Sequence, residues 1–148
     1  MSITDTHYKD QILYSEVVDL GKLYFFENFL VAEFNEGVTI NFENFNVIRF
    51  LIKTHFKDRD FGFVTNRIHS YSIAINDAPL FNSTFQNLKA YGSVTYSSFA
   101  SKVFEMESHF FKFNRKSFKD LDSAISWVKE SLENNTETHS KQDKFHRL

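Results

Sequence analysis

Asp58-Arg59-Asp60-Phe61-Gly62-Phe63-Val64-Thr65-Asn66-Arg67-Ile68-His69-Ser70-Tyr71-Ser72 is the stretch that decides the fold. Phe61 to Thr65 is short and apolar, and charge at residues 58–60 bounds it. That pattern belongs to a strand covered on both faces, the kind found in parallel sheets. Upstream, Asn41 is a candidate N-cap, and Phe45, Ile48, Leu51, Ile52 and Phe56 recur at helical spacing. Phe50 falls off that stripe at about 100° per residue. Further upstream, residues 22–26 and 29–34 are aromatic-rich runs broken at Glu27-Asn28, where Asn28 can take a left-handed turn conformation. They read as an antiparallel hairpin.

Downstream, Pro79 sits just inside the start of a second helix, where its missing N–H costs nothing. Asp77 is the candidate cap, and Leu80, Phe81, Thr84, Phe85 and Leu88 form its buried face. Residues 90–96 read as a strand. A third helix begins near Ser98, with Phe99, Val103, Met106 and Phe110 as its core stripe; Phe104 and Phe111 lie on a second edge. Residues 113–118 contain a last strand. Ser117-x-x-Asp120 matches a capping box for a helix whose apolar face is Leu121, Ala124, Ile125, Val128 and Leu132, flanked by Trp127. The expected fold is α/β: a mixed sheet of about five strands, an antiparallel hairpin and then parallel strands, with about four covering helices. Residues 1–19 read as a polar, frayed lead-in with a possible short strand, 20–133 as the domain, and 134–148 as a disordered tail.

Length and composition narrow the function. A chain of 148 residues fits one domain. The net charge of −2 gives no electrostatic reason to expect nucleic acid or an anionic membrane. No apolar run approaches the roughly 20 residues of a membrane span, and the first residues lack the basic and apolar regions of a secretory signal. Cysteine is absent, which removes disulfides, thiol nucleophiles and thiolate metal sites and fits a cytoplasmic setting. The six histidines show no metal-ligand spacing, and four glycines leave little room for a phosphate loop. No cofactor and no metal is expected. Phenylalanine, at nineteen residues, outnumbers leucine, the usual leader among apolar residues. Asn, Lys and Ile are abundant too, so A/T-rich codons account for part of the excess without deciding where each ring points.

Two groups of residues are candidates for a site. Asn66, Arg67, His69, Ser70, Tyr71 and Ser72 follow the carboxyl end of the central strand, where open α/β sheets place their ligands. Arg67 can hold a carboxylate or phosphate through a bidentate contact; alternatively it pairs with Asp77 or another acid and pins the loop. Phe50, Phe104 and Phe111 form the second group. They are covered by neighbouring elements, or they form an exposed patch for self-association or a partner, or they wall a cavity for a lipid-like ligand.

Over residues 20–133 the chain resembles the bacterial STAS-like, anti-sigma-factor-antagonist-like family, in particular its stand-alone members of unassigned function. The resemblance rests on element order and on three patterns: Glu36-Gly37-Val38-Thr39-Ile40 before the first helix, Asn66-Arg67 with Ser70-Tyr71-Ser72 after the central strand, and Phe118 through Ala124 to Trp127. It implies a non-enzymatic regulatory module that binds partner proteins, as a homodimer or with a regulatory protein. In the sigma-regulating members a serine in an Asp-Ser-x-Gly context is phosphorylated. Here the segment is Asn66 to Ser72, with serines at 70 and 72 but neither the acid nor the glycine. The alternative expectation is a small-molecule or lipid-like ligand held in an aromatic-lined pocket.

Overall fold

The computed structural model describes the backbone of residues 1–146 and side chains through Asn134. The strands are β1 (Tyr14–Val18), β2 (Gly21–Phe25), β3 (Phe29–Phe34), β4 (Thr39–Ile40), β5 (Phe61–Arg67), β6 (Ser72–Ile73), β7 (Leu88–Thr95) and β8 (Arg115–Phe118). The helices are α1 (Asn46–Phe56), α2 (Ala78–Thr84), α3 (Ser98–Glu107) and α4 (Leu121–His146). Six strands form one sheet in the order β1-β2-β3-β5-β7-β8. Its first three strands pair antiparallel, and β3, β5, β7 and β8 run parallel. β4 and β6 make a separate small parallel pair.

Period-two alternation divides the core between the two faces of the sheet. Leu23, Phe25, Leu30, Ala32, Phe34, Phe61 and Phe63 join the cluster built with α1 and α2. Tyr24, Phe29, Val31, Val64, Ala90 and Val94 join the cluster built with Ala124, Ile125 and Val128 of α4. Gly62 lets α4 close on the sheet, since a Cβ there would fall on Val128 Cγ1. The buried face of α1 is the expected one, with Phe45, Ile48, Ile52 and Phe56 inside.

Several expectations are corrected. The first residues are not a frayed lead-in: residues 3–5 and 7–11 form two 3₁₀ turns that bury Ile3 and Tyr8 against the α4 face. Their caps are the hydroxyls of Ser2 and Thr6. The possible short strand is β1, the sheet's edge. Asn41 does not cap α1; it exchanges hydrogen bonds with Asn44 one turn earlier (Asn44 N–H to Asn41 Oδ1, 2.7 Å). Asp77 does not cap α2 either, because its Oδ2 accepts from Phe42 N–H at 3.0 Å. In the capping box, Ser117 lies in β8, and Asp120 alone accepts from Ser123 N–H at 2.7 Å. α4 continues past Asn134, where a disordered tail is expected; the side chains of that continuation lie outside the described residues.

The largest correction concerns α3. Three of the four residues of its predicted core stripe face solvent, Phe99 at 74 % exposed, Met106 at 51 % and Phe110 at 45 %, and the fourth, Val103, is half-buried. The buried positions are Phe104, Glu107 and, just beyond the helix, Phe111. The helix is turned to bring a carboxylate under cover, and the physical reason lies in the strands beneath it.

Candidate functional site

At the carboxyl end of β5 the pleat sends Asn66 and Arg67 to opposite faces of the sheet. On the α4 face, Asn66 Nδ2 donates to Glu33 Oε2 (2.7 Å) and to the Met1 carbonyl (2.8 Å), while its Oδ1 accepts from the Tyr96 hydroxyl (2.6 Å). Glu33 also accepts from Ile3 N–H (2.8 Å) and the Ser2 hydroxyl (2.7 Å). This network ties the N-terminal turns to the sheet and leaves Asn66 fully bonded.

On the other face Arg67 is buried. Its Nε donates to the Tyr71 hydroxyl (2.9 Å), and its Nη2 reaches both oxygens of Glu107 (2.8 and 3.1 Å). Glu107 is 2 % exposed. A second guanidinium, Arg115 from β8, comes within 3.6 Å of the same carboxylate. That is too long for a hydrogen bond, and Arg115 Nη2 has no acceptor among the described residues. Its Nε donates to Ser108 Oγ (3.2 Å). The guanidinium lies over three rings, 4.3 Å from the Phe104 centroid, 4.8 Å from Tyr91 and 5.4 Å from Phe111. Such stacking offsets part of the lost hydration.

Electrostatics agree with the geometry. Burial works against the charge of Arg67, but Tyr71 and Glu107 hold its pKa above the ordinary value. For Arg115 burial wins, and its pKa is lowered. Burial also pushes the Tyr91 phenol up, so it stays neutral and offers no negative charge. Two buried cations thus share one carboxylate. A buried ion left without its partner costs several kcal/mol, which explains why α3 buries Glu107 and leaves Phe99 and Met106 outside.

The predicted loop is not one site. Asn66 and Arg67 belong to β5 and point apart. His69 and Ser70 are exposed beside Glu36, whose Oε2 lies 3.9 Å from His69 Nδ1 and accepts from Ser70 N–H at 2.7 Å. Tyr71 packs its ring on Phe34 and its hydroxyl on Arg67. Ser72 in β6 shares a hydrogen bond with Thr39 (3.2 Å). Arg67 pins its surroundings, as one reading allowed, but its acid is Glu107 rather than Asp77. The three off-stripe rings are not a patch: Phe104 and Phe111 are buried under α3, and Phe50 alone is exposed, at 68 %, on α1.

Between the sheet and helices α1 and α2 lies a cavity of about 50 Å³. Phe34, Phe63, Phe81, Tyr91 and Phe111 are among its walls, and Arg115 is its one ionic side chain. Sequence reasoning missed Glu107 and Arg115. A signal was present: Phe104, Glu107 and Phe111, spaced three and four apart, set an acid in the middle of an apolar edge.

The sheet order, the leading antiparallel hairpin and the helices on both faces give an α/β fold of the SpoIIAA-like, STAS-like type. A crystal structure of an uncharacterised DUF3478-family protein with a SpoIIAA-like fold from Shewanella loihica PV-4 superposes with a TM-score of 0.51 and 11 % identity, over 78 % of this chain and 90 % of that one. No family model and no curated protein matches the chain. Among the described residues, no helix is long and apolar enough to cross a membrane, and no group of three or more His, Asp or Glu could hold a metal ion.

Proposed function

We propose that this chain is a non-enzymatic, regulatory protein-interaction module that works as a homodimer through the outer face of α3. The observation that carries this reading is the exposed stripe of Phe99, Met106 and Phe110. Large apolar side chains exposed along one side of an element and just past its end are the raw material of such interaction sites. The occupant is a second copy, because the stripe is flanked by opposite charges three residues apart, Lys102 and Glu105, both exposed. Antiparallel pairing about a two-fold axis sets Lys102 of one copy beside Glu105 of the other, the self-complementarity an isologous contact requires. A non-enzymatic role is supported by the polar groups at the sheet's carboxyl edge, where Arg67 and Asn66 are consumed in internal pairs. A switch by serine phosphorylation is disfavoured: Glu36 occupies the Ser70 N–H, and a phosphoryl group there would meet its carboxylate.

Sedimentation velocity on the whole chain tests the reading, with Phe99→Ser/Met106→Ser as the variant. The expected result is a wild-type dimer and a monomeric variant with an unchanged circular dichroism spectrum. A wild-type monomer at the highest attainable concentration, or a variant that still dimerises, overturns it.

A further inference from the structure

The carboxyl edge of the sheet holds a second group of polar side chains, one strand over from Arg67, and the proposed dimer leaves it unexplained. An open groove of about 670 Å³ lies between the amino-terminal half of α3 and the end of β8, with Thr95, Ser98, Ser101, Lys102, Ser117 and Lys119 among its walls. Thr95 pairs with Arg67 in the β5–β7 register, so both stand on the face that α3 covers. Thr95 is only 7 % exposed, yet its hydroxyl has no hydrogen-bond partner among the described residues. Nor is that hydroxyl sealed in, since the one fully buried side-chain polar atom without a partner among the described residues belongs to Arg115. Thr95 lines the groove, and the hydroxyl opens there. A polar group covered this far and left unpaired costs free energy until something binds it.

The groups around it are donors and cations. Ser97 Oγ caps α3 by accepting from Ala100 N–H at 3.1 Å, and Ser101 N–H donates to the Ser97 carbonyl. The N–H groups of Ser98 and Phe99 are left without acceptors among the described residues, at the end of the helix where its dipole favours negative charge. Ser117 pairs with Ser93 in the β7–β8 register, on the same face as Thr95, and its hydroxyl is also unpaired among the described residues. Lys102 and Lys119 are exposed, with no carboxylate within 4 Å among the described residues. One acid, Glu105, borders the groove. It lies two turns further along α3 than Ser98, about 10 Å by helical rise, and so does not crowd the amino-terminal end.

We infer that this groove binds a phosphoryl dianion, free or carried on a small ester, against the hydroxyls of Thr95 and Ser117 and the first amides of α3, with Lys119 as counter-charge. The donor set suits that group. A phosphoryl group presents three strong acceptor oxygens and close to two negative charges, enough to use hydroxyls, amides and lysines together. A carboxylate, with two oxygens and one charge, leaves part of the set unused. Because the groove is open, the body of an ester extends to solvent, and the phosphoryl group is what the site reads.

Inorganic phosphate and glycerol 3-phosphate are the probes, titrated at constant ionic strength into the full chain and followed by amide NMR shifts, with acetate as the monoanion control. Saturable binding below about 10 mM is expected, with the Ser98 and Phe99 amides among those that move, and acetate at least about tenfold weaker. Tighter binding of the ester identifies an organic phosphate as the ligand; equal or tighter binding of inorganic phosphate identifies the free ion. Thr95→Val keeps the shape, removes the hydroxyl and is expected to weaken the better probe about tenfold, as loss of a hydrogen bond to a charged group does. Lys119→Met, at an exposed position, is expected to weaken it as well. Where Thr95→Val does not fold, Lys119→Met and the acetate comparison carry the test. No saturation by either probe up to about 10 mM, acetate bound as tightly as phosphate, or undiminished binding in folded Thr95→Val and Lys119→Met variants each overturns the inference.

Discussion

Glu107→Gln is the sharpest single perturbation of this fold. The side chain is 3 % exposed and sits between Arg67 Nη2, at 2.8 Å, and Arg115 Nη2, at 3.6 Å. The amide preserves shape and one acceptor but removes the charge that both guanidiniums were buried against. Breaking a buried pair from one side costs about 3–5 kcal/mol, and the retained acceptor places Gln near the lower end. With a urea m-value of about 1–3 kcal/mol/M, a loss of about 3 kcal/mol lowers the unfolding midpoint by about 1–3 M. Added salt should change the deficit little, since buried charges are weakly screened. Glu130→Gln, at an exposed position of α4, is the control and should stay within about 0.5 kcal/mol of the parent chain. The triple variant Arg67→Met/Glu107→Leu/Arg115→Met should recover most of the loss, because replacing a whole buried ionic cluster by apolar residues is often neutral or stabilising. Urea unfolding followed by circular dichroism reads all three. If Glu107→Gln and Glu130→Gln were indistinguishable, the account of why α3 faces as it does would fail.

Two further outcomes follow from the same structure. Ile3 is wholly buried against the α4 face, so Ile3→Ala should cost about 2–5 kcal/mol by urea unfolding; a cost below about 0.5 kcal/mol would mean that the N-terminal turns do not dock. Burial, aided by Asp122, raises the Tyr8 phenol to about 12, and burial holds Tyr24 and Tyr91 above the ordinary tyrosine value. Unfolded phenols ionise near 10, so above that pH the unfolded chain loses protons that the folded chain keeps. Stability is therefore unaffected by these groups below about pH 10 and falls from there toward 12; a phenolate absorbance titration in which folded and urea-unfolded chains coincide would refute this.

The sheet was legible in the sequence because its residues obey one rule. Phe61 to Val64 alternate between two covered faces, so every position must be apolar or small, and no other element type tolerates that pattern flanked so closely by charge. The hairpin, the stripe of α1 and the face of α4 were legible for a related reason: their buried positions are apolar and their exposed ones polar. The small β4–β6 pair was not legible, since two residues per strand carry no periodicity. The N-terminal turns were hidden as well. Ser2, Thr4 and Thr6 look like a solvated lead-in, and what fixes them is a carboxylate thirty residues away, Glu33.

α3 fails in a more instructive way. Periodicity assigns the inside of a helix to its most apolar stripe, and Phe99, Val103, Met106 and Phe110 form that stripe. The rule assumes that each helix chooses its face alone. Here the strands underneath had already placed Arg67 and Arg115 inside, and two uncompensated guanidiniums cost more than about three apolar side chains gain by burial, each worth roughly 1.5–3 kcal/mol and still partly covered when exposed on a helix. Once Glu107 is committed inward, two consequences are forced together. The apolar stripe must face outward, which creates the surface proposed for the second copy. One carboxylate must serve two cations, which leaves Arg115 Nη2 without an acceptor among the described residues, its guanidinium stacked on the rings of Phe104, Tyr91 and Phe111. Both features therefore trace to the burial of one acid, and the triple apolar variant separates them. It removes the buried ions while the outer residues Phe99, Met106 and Phe110 stay in place to support the proposed dimer. If that variant lost a dimer that the parent chain forms while retaining its fold, the outer stripe would not be what joins the copies.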